Sequence, residues 1–216
     1  MRIDVYSDTV CPWCFLGKRR LELALASRPQ YDTRLRWRPF ELYPELPMEG
    51  VARSSFLAAR GIGAERAAEI DAELMRLGAA SGIQFRFDLI QRVPNTRFSH
   101  LLLAYAARHG RQSEVKDRIM RGYFEEGENI GDVDALVRLG ADAGLPEWES
   151  RQSLIIRSGQ DGVVAAQRHA TVLGITGEER ASFRSVHKRL VRIHPVADGS
   201  RPTALHKNKF GETTDG

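Results

Sequence analysis

The sequence predicts an α/β domain carrying a large helical insertion. Three observations carry that reading: a strand–helix–strand succession within the first 40 residues, a series of amphipathic stripes from Ala67 to Leu173, and a globular composition. Of 216 residues, 42% are apolar and 28% charged, enough for one large domain with its own core. The 32 basic and 28 acidic side chains leave a net charge of +4, and opposite charges are interleaved, as in "GKRRLELAL". No basic run alternates with aromatics as a stacking groove for nucleic acid would require. No apolar run approaches the roughly 20 residues needed to cross a bilayer, and "MRIDVYSDTV" holds no apolar leader core. A cytoplasmic protein with neither membrane nor nucleic-acid partner is expected.

Residues 2–7, "RIDVYS", alternate with Ile3 and Val5 on one side, which predicts a strand. From Cys14 the period changes. Cys14, Gly17, Leu21, Ala24 and Leu25 share one helical face, with Lys18, Arg19, Arg20 and Glu22 outside it. Pro12 suits the first turn, where its missing N–H costs nothing, and Pro29 places the helix end near Ser27. "TRLRWRPFEL" (33–42) alternates again, with Leu35 and Trp37 opposite Arg34, Arg36 and Arg38. Together these make a βαβ unit.

The helical stripes follow: Ala67, Ile70, Leu74 and Leu77; then Leu102, Tyr105, Ala106 and His109; then Val115, Ile119, Met120 and Tyr123. A shorter one, Leu136, Val137 and Gly140, comes after the cap Asp132. Pro146 suits the start of another helix, and Val163–Leu173 forms the last. The division expected is a first βαβ part at 1–45, a helical subdomain at 46–160, and a return to the α/β domain at 161–216 with a divergent tail from about 178. In that tail only "RLVRIHPV" reads as a strand.

Both cysteines of the chain, Cys11 and Cys14, lie in "SDTVCPWCFLGKRR" at the strand-to-helix junction. Unpaired N–H groups and the positive end of the helix dipole stabilise an anion there, so the Cys11 thiol is expected to ionise more easily than a free one. Cys14, one turn on, is expected to stay protonated until needed. That makes Cys11 the nucleophile and Cys14 the resolving thiol of a redox pair. Pro12 and Trp13 tune the turn and offer apolar surface to a substrate. A zinc site would need four ligands and is not expected. A purely structural disulfide closing so small a loop is disfavoured in a cytosolic chain.

"IDVYSDTVCPWCFLGKRRLE", "WRPFELYPELPMEG", "VPNTRFSHLLLAYAARHG" and "GYFEEGENIGD" resemble the FrnE-like branch of the DsbA oxidoreductases, over roughly residues 2–175. The resemblance implies a thioredoxin-like fold with a large helical insertion, commonly cytoplasmic, acting on thiol or disulfide substrates of protein or small-molecule kind. It implies no required cofactor beyond the Cys11–Cys14 disulfide, with glutathione as a candidate co-substrate. It also implies that Pro94, Asn95 and Thr96 sit near the active-site groove, Asn95 and Thr96 touching substrate. The same superfamily includes the 2-hydroxychromene-2-carboxylate isomerases and kappa-class glutathione transferases, which typically carry Ser where Cys11 stands. A glutathione-dependent isomerase or transferase is therefore the alternative reading, and a non-catalytic binding scaffold with a degenerate C-terminus a second. After "LGITG" the family continues with Val and a cis-proline, whereas Glu178 and Glu179 follow here; Pro202 in "SRPTAL" is the substitute candidate for that proline.

Among other groups, His109 is expected to complement a helix C-terminus and His100 to lie on a helix face. Asp8 is expected to act as a turn or cap acid that would oppose thiolate formation if close.

Overall fold

The computed structural model describes residues 2–30 and 33–175, together with the backbone of His194 and Pro195. The predicted βαβ unit is present: β1 (Arg2–Ser7), α1 (Pro12–Ala26) and β2 (Arg34–Pro39). β1 runs parallel to β2 in the register Arg2↔Arg34 to Ser7↔Pro39. On its other side it pairs antiparallel with the two-residue β5 (His194–Pro195), through Ile3↔Pro195 and Asp4↔His194. The sheet order is β2-β1-β5, and β5 falls inside "RLVRIHPV", where a strand was expected.

Edge backbone on β2 is covered rather than left open. The Gln112 side-chain amide donates to the Trp37 carbonyl, and its oxygen accepts the Trp37 N–H, both at 2.9 Å. An exposed edge would otherwise offer these groups to another chain. Trp37 itself is buried with Ile3 and Val5 under β1, its ring N–H donating to Ser113 Oγ at 2.9 Å.

Between β2 and the last helix of the described residues lie β3 (Val51–Ala52), α2 (Arg53–Ala58), α3 (Ala64–Ala79), β4 (Arg92–Val93), α4 (Arg97–Arg108), α5 (Gln112–Glu126), α6 (Val133–Asp142) and α7 (Glu147–Ile155). The chain returns through α8 (Gln160–Val172), which packs on α4 and β2. β3 and β4 form a separate antiparallel ribbon. Strands of two residues carry no periodicity, so no pattern in the chain marks them. Asp132 caps α6 as expected, accepting the Ala135 N–H at 2.8 Å, and Pro146 occupies the N-cap of α7. His109 stands at the C-cap of α4, its ring 4.4 Å from that of Tyr105.

One apolar cluster runs without interruption from Cys11, Cys14, Phe15 and Leu16 into α4, α5 and α6. Phe15 stacks on Phe124 at 5.8 Å and meets Phe85 edge-on at 6.0 Å. The start of α1 is therefore seated on the insertion. α1 also departs from expectation at Lys18. Instead of facing water it is 2% exposed, because α5 delivers Asp117 to its ammonium at 2.6 Å while Glu22 takes it at 2.7 Å.

Candidate active site

Cys11 is the N-cap of α1, with extended backbone (φ −92°, ψ 111°) and Pro12 following as the first helical residue. Its Sγ accepts the Cys14 N–H at 3.3 Å, an orphan donor of the first turn. Both thiols are free and buried, 3% and 4% exposed. They differ in what they face. Cys11, Pro12 and Trp13 line a cavity of about 300 Å³ whose other walls include Tyr43, Phe56, Leu74, Phe87 and Tyr123. Cys14 lines none of it and turns toward the polar groups under β1.

The cavity is largely aromatic and aliphatic with a charged rim. Tyr43 and Phe56 meet edge-to-face at 4.8 Å, and Arg60 lies over both rings, 4.5 and 3.6 Å from their centroids. Arg53 is held bidentately by Asp71 at 2.7 and 2.8 Å. Burial pushes the Tyr43 and Tyr123 hydroxyls above the ordinary phenol range, so both stay neutral.

Beneath the sulfurs, Asp8 is fully buried. Its carboxylate accepts the backbone N–H groups of Thr9 and Leu42, each at 2.7 Å, and meets His100 Nε2 at 3.1 Å. Burial works against its ionisation, but the His100 contact, the Leu42 N–H and the Thr96 hydroxyl outweigh it and hold the carboxyl below the usual carboxylate range. Asp8 is thus the turn acid that the sequence suggested, and His100, on a helix face as expected, lies on the buried face of α4 as its partner.

The thiols titrate as a coupled pair, and the expected easy ionisation of Cys11 is not what the geometry produces. Cys11 is pushed well above the ordinary thiol range, first by its hydrogen bond to Cys14, then by burial, with the charges of Cys14 and Asp8 adding to this. Cys14 is lowered: the hydrogen bond from Cys11 favours its thiolate, burial opposes, and the charge of Lys116, the Asp8 backbone and the Ser7 hydroxyl reinforce it. The N-terminal amide does stabilise Cys11, but one N–H is outweighed by desolvation and a neighbouring negative charge. The pair is therefore biased so that, when one of the two ionises, the charge is favoured on Cys14 and the proton on Cys11.

Asn95 and Thr96 do not reach the cavity. Asn95 is 3% exposed, donating to the Leu46 carbonyl at 2.7 Å and accepting the Arg97 N–H at 2.9 Å. Thr96 is the N-cap of α4 and is buried. Their observed contacts tie the 41–50 loop to α4 and support Asp8. Pro202 lies outside the described residues. Two features went unread in the sequence. Glu41, 2% exposed, is paired with Arg97 at 2.8 Å. Lys116 is fully buried on α5. A sign of it was present: Lys116 stands three and four residues before Ile119 and Met120, on the apolar stripe itself.

The model of the DSBA-like thioredoxin domain matches residues 2–178. The chain belongs to that family. A probable DsbA oxidoreductase from Streptomyces coelicolor, SCO1869, is 34% identical in a solved structure, with a TM-score of 0.74 over 81% of this chain and 76% of that one. An uncharacterized protein of Bacillus subtilis, YwbO, is 27% identical over 79% of this chain and 80% of its own. The cytosolic disulfide reductase DsbM from Pseudomonas aeruginosa, solved with GSH, shares the fold at 19% identity and a TM-score of 0.60, covering 90% of each chain. This DsbA-like chain has the α/β thioredoxin-like fold with a helical insertion that its sequence predicted. Among its described residues no helix is long and apolar enough to cross a membrane.

Proposed function

We propose that this DsbA-like protein is a thiol–disulfide oxidoreductase in which Cys11 exchanges with substrate and Cys14 resolves. The observation that carries the reading is the division of the two sulfurs: Cys11 lines the apolar cavity, and Cys14 lies outside its lining. A substrate disulfide entering the cavity meets Cys11 alone. The shared hydrogen bond lets the Cys11 proton pass to the Cys14 thiolate, which frees the outer sulfur to attack. Attack breaks the substrate S–S bond, releases one substrate thiolate and leaves a mixed disulfide on Cys11. Cys14 then gives its proton to the released substrate thiolate and attacks Cys11 Sγ; the second substrate thiolate departs, and the enzyme holds the Cys11–Cys14 disulfide. The reverse sequence oxidises a dithiol. Glutathione is proposed as the thiol that reduces the resting disulfide by the same exchange, in a cytoplasmic setting where disulfides are transient.

A cysteine at position 11 distinguishes this chain from the glutathione-dependent isomerases, whose reaction needs no second thiol. The test is dithiothreitol-driven reduction of insulin. Turnover is expected in the wild type and lost in Cys11→Ser; equal turnover in that variant would reject the assignment.

A further inference from the structure

Lys116 is a buried cation near the sulfurs that the exchange so far does not use. Its side chain is 0% exposed, and its Nζ has no hydrogen-bond partner. A buried ammonium without partner is costly, and a chain keeps one only where another charge compensates it. The contacts around it narrow the choice. The other buried lysine among the described residues, Lys18, is neutralised by Glu22 and Asp117. Asp8 is occupied with Thr9, Leu42 and His100. From β2 the Trp37 ring lies 5.3 Å from Nζ, a supporting but weak partner for a cation. Arg36 and Arg38 of β2 and His100 of α4 line the same neighbourhood and supply no negative charge. Among the described residues what remains is the cysteine pair: the opposite charges felt by Lys116 are, in order, Cys14, Asp8 and Cys11, with Lys18 opposing.

We propose that Lys116 is the buried counter-cation of the reduced cysteine pair, and that it gives up its proton when the pair is oxidised. The proposal rests on Cys11 and Cys14 being the redox pair. In the reduced protein the charges are Cys11–SH, Cys14–S⁻ and Lys116–NH₃⁺. Two electrons pass to the substrate disulfide, the Cys11–Cys14 bond forms, and the thiolate charge disappears. The ammonium is then left buried and alone, and deprotonates. One proton from Cys11 and one from Lys116 convert the two departing substrate sulfurs to thiols, so charge and hydrogen balance. A cavity of about 240 Å³ bounded by Ser7, Trp37, His100 and Lys116 has room for several waters at ~30 Å³ each. It shares no wall with the Cys11 cavity, so the Lys116 proton leaves through it to solvent while the second substrate thiolate takes one up from solvent, and the net balance is unchanged. Burial already lowers Lys116 to about 8 with the thiols present, within reach of a swing around neutrality.

The chain has five lysines, so lysine labelled at Cε gives a simple ¹³C spectrum, with Lys116 assigned by its loss in Lys116→Met. The intact protein is titrated twice, reduced and after chemical oxidation to the disulfide confirmed by mass. The Lys116 midpoint is expected at least one pH unit lower in the disulfide form, a tenfold loss of proton affinity. Equal midpoints in the two forms would overturn the proposal. Lys116→Met should lower the thiolate absorbance of the reduced pair at pH 7 several-fold and shift its equilibrium with glutathione at least tenfold toward disulfide, whereas Lys116→Arg should retain the absorbance. Unchanged values in a folded Lys116→Met protein would equally refute it. Because the disulfide is made chemically, a redox-dependent midpoint without insulin turnover would sink the proposed catalysis and leave the charge coupling standing.

Discussion

Replacing Asp8 by Ala tests the polar network on which the redox turn sits. The carboxylate satisfies the Thr9 and Leu42 N–H groups and His100, and all of these are shut away from water around a fully buried residue. Each buried group left without a partner costs about 1–3 kcal/mol. Thr9 can recover some hydration by loop movement, whereas Leu42 and His100 are held by packed elements, so the total expected is about 3–5 kcal/mol. With a urea m-value of about 2 kcal/mol per molar, the midpoint should fall by about 2 M. The assay is equilibrium unfolding in urea, followed by tryptophan fluorescence and circular dichroism. The pH dependence gives the sign. Asp8 has a depressed folded value, so its contribution is fully present above the unfolded carboxylate value near ~4 and is lost as pH falls through the folded one. Wild type should therefore lose stability on acidification in that window more steeply than Asp8→Ala. A second readout is chemical: removing the Asp8 charge takes away one of the causes that raise Cys11, so the upper thiol ionisation should move down. A midpoint shift under about 0.5 M in the folded variant would refute the argument that this carboxylate carries the turn.

Two further outcomes follow from the surrounding loop. Arg97→Met leaves the Glu41 carboxylate, 1% exposed at the side chain, without its cation; the expected loss is about 3 kcal/mol in the same urea assay, and less than 1 kcal/mol would contradict a buried pair. Gly50→Ala places a Cβ 2.6 Å from the Val93 carbonyl at φ +71°, combining overlap with left-handed strain of about 1–2 kcal/mol. Since Val93 lines the Cys11 cavity, insulin reduction should fall along with thermal stability, and a variant unchanged in both would show that the β3–β4 ribbon does not shape the site.

The local features were written in the chain. Alternation at Ile3 and Val5, the helical stripe starting at Cys14, and Pro12 one residue after Cys11 depend only on neighbours in sequence, and they placed α1 and its cysteines correctly. The stripes of α4, α5 and α6 were legible for the same reason, because one buried face repeats every turn. Lys18 and Lys116 were not. Whether a lysine is solvated or buried depends on what another element brings within a few ångströms, and that arrives from 99 residues away in the case of Lys18 and Asp117.

The sequence by itself determined where the two thiols stand and which one opens the helix, since both follow from the local backbone. Only the tertiary structure decided in which direction each thiol's ionisation is pushed. An ionisation equilibrium is set by burial and by charges on every element that packs around the group. Here the hydrogen bond between the two thiols and their burial, reinforced by Lys116 from α5 and Asp8 from the β1–α1 turn, bias the pair in a direction that a single helix terminus would not.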